Sequence, residues 1–200
     1  MVKVYESLME KSLNKTKSET LYFGGILLLV LVMFVVVILN TFVFFNVLVK
    51  GPSMQPTMYT DDVLVANRLK TPTYGSIIII SGEKNNGDWL IKRVIAMEGD
   101  TVDIRSDGYV YVKYKNADDF IRLNESYIKE PGKTDMYDWT IKTIGQGEIF
   151  YLGDNRGNSN DSRNSDFSTC NTSQVVGVVE DWSFAFKGFN KKLKNLFNRR

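Results

Sequence analysis

No charged residue occurs from Thr20 to Val49, and within that interval Leu21–Leu39 is apolar almost without a break (LYFGGILLLVLVMFVVVIL). Wound as a helix, these 19 residues rise about 28 Å, close to the thickness of a bilayer's hydrocarbon core. The run exceeds the apolar stretch of a typical cleaved signal sequence, and no small-x-small site closes it. The expectation is a permanent transmembrane helix. Lys3, Lys11, Lys15 and Lys17 precede it, and Lys50 is the one lysine close behind it. Glu6, Glu10 and Glu19 share the leading arm, but acids count little toward orientation. Residues 1–20 therefore read as a cytoplasmic arm and 21–45 as the transmembrane helix and its exit. The remainder of the chain reads as extracytoplasmic, on a single-pass protein of the cell membrane.

Beyond the span the pattern changes to alternation or to short apolar runs. Phe42–Val49, Asp62–Ala66, Ser76–Ile80, Trp89–Ala96, Thr101–Ile104, Tyr109–Tyr114, Glu148–Leu152 and Gln174–Val179 read as strands. Turn signals separate them, among them Gly51-Pro52, Asn85-Asn86-Gly87, Gly99-Asp100 and Asp107-Gly108. Residues 46–183 thus read as one mostly antiparallel β domain. The tail, 184–200, alternates aromatics with bases and fits either a solvated terminus or a contact with the lipid bilayer. Residues 187–200 hold six bases and no acid; without them 19 basic face 23 acidic side chains, a net −4. A mildly acidic body argues against nucleic acid as a partner.

The chain has no histidine and one cysteine, Cys170. Every Ser-His-Asp and Cys-His mechanism is excluded, as are the common zinc sites and any internal disulfide. A hydrolase of this composition is left with paired carboxylates, a lysine-activated serine or threonine, or an oxygen-liganded metal.

Three segments carry groups suited to such chemistry. In Gly51–Met58 (GPSMQPTM), Ser53 lies on a proline-stiffened turn a few residues past the span. In Trp89–Asp100 (WLIKRVIAMEGD), a lysine interrupts an apolar strand. Alternation sets Leu90, Lys92 and Val94 on one face and Trp89, Ile91, Arg93 and Ile95 on the other. Burial there disfavours the ammonium form and lowers the lysine pKa, the change that a general base requires. Gly153–Arg163 (GDNRGNSNDSR) packs acid, amide, base and hydroxyl into one loop. Read alone, the segments fit a loop serine and a snorkelling lysine better than a catalytic pair, and a solvated turn remains open for the third.

Taken in order behind an N-terminal anchor, these segments resemble the signature boxes of the bacterial type I signal peptidases. The resemblance spans roughly residues 47–163 and is most specific in the last loop. It implies a β-rich catalytic domain of the kind shared with self-cleaving repressors. It also implies an endopeptidase that removes the signal peptides of exported preproteins after Ala-x-Ala-type residues. Ser53 would be the nucleophile and Lys92 the general base. Ser159 would hydrogen-bond and orient the lysine amine, Asp154 would pair with Arg93, and Asp161 with Arg163. Met58, Leu90 and Ile91 would line the pocket for the residue before the cut. Val47, Val49 and Ile91 would contact the residue two positions further upstream. The Ser53 N–H would belong to the oxyanion hole. No metal or cofactor is expected, and the expected state is a monomer.

Gly51 departs from many relatives, which place a hydroxyl there for the oxyanion. Either a donor is missing or glycine is needed for a backbone of positive φ; the first is the favoured expectation. Tyr74-Gly75-Ser76 and Ala96-Met97-Glu98-Gly99 also differ from the common pattern. Two rivals are a self-cleaving repressor, which would carry a DNA-binding domain in place of the apolar span, and an inactive scaffold, which could lose one of Ser53 and Lys92.

Overall fold

A computed structural model of the chain describes residues 2–82, 85, 87–135 and 141–186. It divides into two units, Met1–Val43 and Phe44–Arg200. The first is a helix, α1 (Val2–Ile38), closed by a π-helical turn at Leu39–Val43. Helix starts well before the apolar run, because the leading segment contains neither proline nor glycine to break it. Every side chain from Leu21 to Leu39 is exposed, and Lys15–Val43 is long and apolar enough to cross a membrane.

In the second unit, strands β1 (Phe44–Leu48), β2 (Val63–Asn67), β3 (Ile77–Ile80), β4 (Leu90–Met97), β9 (Glu148–Leu152), β10 (Cys170–Asn171) and β11 (Val175–Val179) make one sheet. Its order is β1-β2-β11-β3-β4-β9-β10. Strands β5 (Thr101–Ile104), β6 (Val110–Lys113), β7 (Ile121–Arg122) and β8 (Lys142–Thr143) make a second, ordered β7-β6-β5-β8. All their pairings are antiparallel, as the sequence pattern implies. The eight expected strands all occur, two with the expected ends and six with ends moved by at most two residues. From residue 187 onward the tail lies outside the described residues.

Strand β3, four isoleucines, is buried on both faces. Ile77 and Ile79 join a cluster with Val47, Val49, Met54, Met58 and Leu64. Ile78 and Ile80 join another with Leu90, Val94 and Tyr151. A continuous apolar run is what a doubly covered strand requires. Strand β4 alternates as expected until Val94, where its register against β9 shifts. An extra residue in one strand turns the next side chains, so Ile95 and Ala96 are both buried, in the cluster with Val102, Val112, Phe150 and Leu152.

Candidate active site

Two turns and one strand bring the candidate groups together. Ser53 lies in the turn joining β1 to β2. Met54 and Met58 anchor that turn in the core, and Val49 N–H donates to Asp62 O at 2.9 Å to close its base. The Asn155 N–H donates to Ser53 O at 3.0 Å and its side-chain amide to Pro52 O at 3.1 Å, tying the turn to the loop after β9. Lys92 comes from β4, opposite Ile78 of β3. It is only 2% exposed. Its Nζ lies 3.0 Å from Ser53 Oγ and 3.0 Å from Ile91 O. Burial pushes the Lys92 pKa down to about 8, although Asp161 and Asp154 act in the opposite sense. At that value about a tenth of the amine is neutral at pH 7. The neutral amine can accept the Ser53 proton across the contact that the ammonium form donates.

Asp154 and Arg93 form the expected pair. Arg93 Nε donates to Oδ1 at 2.8 Å and Nη2 to Oδ2 at 2.7 Å, while Nη1 reaches Gly75 O at 2.8 Å. Thr57 adds a short hydrogen bond to Asp154. Asp161 and Arg163, both fully buried, pair through Arg163 Nε at 2.8 Å and Nη2 at 3.0 Å. Asp161 also accepts the Gly153 N–H at 3.0 Å.

Ser159 departs from its expected role. Its hydroxyl is buried without a hydrogen-bond partner among the described residues, and the Lys92 amine is turned to Ser53 and Ile91 O instead. It nevertheless lies close by: a Cβ on Gly153 would fall 2.2 Å from Ser159 Oγ and 2.6 Å from Ser53 O. Gly153 is therefore a required glycine of this site, which only the backbone packing reveals.

Gly51 adopts a backbone that bears on the two expectations for this position. Its φ is +80°, in the region that side chains with a Cβ avoid, while the space where a Cβ would stand is open. This geometry fits the second expectation, a glycine needed for its backbone.

A cleft of about 540 Å³ is lined by Ser53 and Lys92 together with Val47, Val49, Gly51, Leu90 and Ile91. Met58 does not line it: the side chain has no exposed surface and packs with Val47, Val49 and Met54 in the core beneath. A larger cleft of about 850 Å³ meets the same turn at Gln55 and Pro56 but contains neither Ser53 nor Lys92. Among the described residues, no group of three histidine, cysteine or acidic side chains is arranged to hold a metal ion.

Residues 23–183 match the family model described as signal peptidase, peptidase S26. The chain belongs to this family. Among its relatives is the signal peptidase I P of Bacillus subtilis subsp. natto, 31% identical over 185 residues, covering 86% of this chain and 93% of the relative. The signal peptidase I T of Bacillus subtilis strain 168 is 30% identical over 188 residues, covering 91% and 93%. A crystal structure of a signal peptidase I from Enterococcus faecalis V583 aligns at 29% identity with a TM-score of 0.44, covering 56% of this chain and 98% of that one. Family membership makes the chain a signal peptidase, a serine endopeptidase. The apolar helix and these relatives together support membrane anchoring. Gly153, Thr57 and Asn155 complete the peptidase's candidate site. Thr57 acts through its side-chain hydrogen bond to Asp154, and Gly153 and Asn155 through packing and contacts with the backbone of the Ser53 turn.

Proposed function

We propose that the peptidase cleaves signal peptides from exported preproteins with Ser53 as nucleophile and Lys92 as general base. The 3.0 Å contact between a buried lysine amine and the Ser53 hydroxyl carries this reading. Neutral Lys92 takes the Ser53 proton as Oγ attacks the carbonyl carbon of the last residue of the signal peptide. The lysine returns that proton to the leaving amine, and an acyl-enzyme on Ser53 remains. Water then attacks the ester while Lys92 accepts its proton and passes it to Ser53 Oγ. Backbone N–H groups, that of Ser53 among them, stabilise the oxyanion. Val47, Val49, Leu90 and Ile91 form a small apolar lining that suits Ala-x-Ala residues before the cut. Arg93, Asp154, Asp161 and Arg163 hold the surrounding loop.

The peptidase works as a monomer. Residues 1–20 lie in the cytoplasm, 21–45 span and leave the bilayer, and 46–183 act on its outer side. Ser53→Ala and Lys92→Ala, purified in detergent, are expected to stay folded and lose at least about 1,000-fold in kcat/KM on a preprotein. Retention of a tenth of the activity by either folded variant would overturn the assignment.

A further inference from the structure

The signature loop is braced from a segment that no part of the proposed chemistry uses. Glu125 lies just past the short strand β7 and is buried, as is Arg156 of the loop after β9. The two carboxylate oxygens meet the two terminal nitrogens of the guanidinium: Nη1 donates to Oε2 at 3.1 Å, and Nη2 makes a short bond to Oε1. Arg156 Nη1 also donates to Thr134 Oγ1 at 2.9 Å, and Nε donates to Gly153 O at 3.2 Å. The Gly153 N–H is held by Asp161, so this residue is fixed at both its N–H and its carbonyl. A second route leaves the same carboxylate. Tyr127 Oη donates to Glu125 Oε1 at 2.9 Å, and the Tyr127 ring lies 4.0 Å from the Arg93 guanidinium carbon. Arg93 in turn grips Asp154, the neighbour of Gly153.

Burying both charges of an ion pair carries a desolvation cost that a hydrophobic pair avoids, so this pair is a weak source of stability, and its fixed bidentate geometry holds the two segments in register. Here the constraint acts where tolerance is least. No Cβ fits at Gly153, which sits against Ser53 O and Ser159 Oγ. Any shift of this loop is therefore felt at the backbone of Ser53.

We propose that Glu125 is a positioning residue: with Tyr127 and Arg156 it sets the place of Gly153 and Arg93, and through them the alignment of Ser53 with Lys92. The proposal rests on the Ser53–Lys92 reading. It makes the segment 125–134, outside the signature boxes, a determinant of turnover, not of substrate affinity.

The test uses the full-length protein in detergent, with kcat, KM, the pH–rate profile and Tm measured for Glu125→Gln and Tyr127→Phe beside Ser53→Ala. Glu125→Gln is expected to lower kcat about tenfold or more with KM changed less than about twofold. Its ascending pH limb is expected to move upward, as a loosened loop admits water to Lys92. Tyr127→Phe, which removes one hydroxyl, is expected to lower kcat about threefold at unchanged KM. It decides the matter if Glu125→Gln does not fold. A folded Glu125→Gln with wild-type kcat and pH limb would overturn the proposal. So would a loss that matches the unfolded fraction while the limb stays in place. Activity in Ser53→Ala would instead refute the underlying reading, whatever the other variants do.

Discussion

At the scale of single residues, Lys92 and Gly51 hold the states that the proposed chemistry uses. Lys92 is an ordinary lysine whose surroundings make the ammonium costly, since its neighbours on β4 are Leu90 and Val94 and its exposure is 2%. Gly51 adopts φ +80° two residues before Ser53, with empty space beside it. Any residue with a Cβ is strained there by about 1–2 kcal/mol, or relaxes and carries the turn away. Gly51→Ala and Gly51→Ser are therefore expected to lower kcat/KM similarly, by about tenfold. A Gly51→Ser variant as fast as the parent, beside a slow Gly51→Ala, would show that the hydroxyl acts as a donor and that the backbone tolerates it.

At the scale of elements, the site is a strand, a turn and a loop locked by buried pairs. Arg93 of β4 and Asp154 after β9 share two bonds across adjacent strands. Asp154→Ala leaves the half-buried guanidinium with Gly75 O and the Tyr127 ring alone, a loss of about 2 kcal/mol. Urea unfolding should show that loss as a lower midpoint at unchanged slope; an unchanged midpoint would mean that the pair contributes no net stability. Much of this layout is legible in the residues alone. Alternation around Lys92 gives its face, and the turn signals separate the longer strands. The two-residue strands β7, β8 and β10 escape, because two residues show no period. The register shift after Val94 escapes because Val94, Ile95 and Ala96 are all apolar. Contacts such as Glu125 with Arg156 or Asn155 with Ser53 join distant residues, and only the folded chain brings them together. The fate of the Ser159 hydroxyl and the backbone of Gly51 depend on geometry that residue type does not encode.

At the scale of the whole molecule, the proposed topology puts the site where signal peptides emerge. Labelling intact cells from outside should reach a cysteine placed by Asp107→Cys and miss one placed by Lys11→Cys, with Cys170 buried and silent. The reverse pattern would invert the orientation. In a chain with no histidine, the proposed Lys92 base loses activity as it gains its proton. Below the Lys92 pKa the amine is charged and cannot accept the Ser53 proton; above it, the base is ready. The pH dependence of kcat/KM for the free, solubilised enzyme reads this pKa directly. The expected profile rises with pH through a half-maximum near the value of about 8 set by the burial of Lys92. A limb already complete by about pH 6 would contradict it and point to a carboxylate as the base.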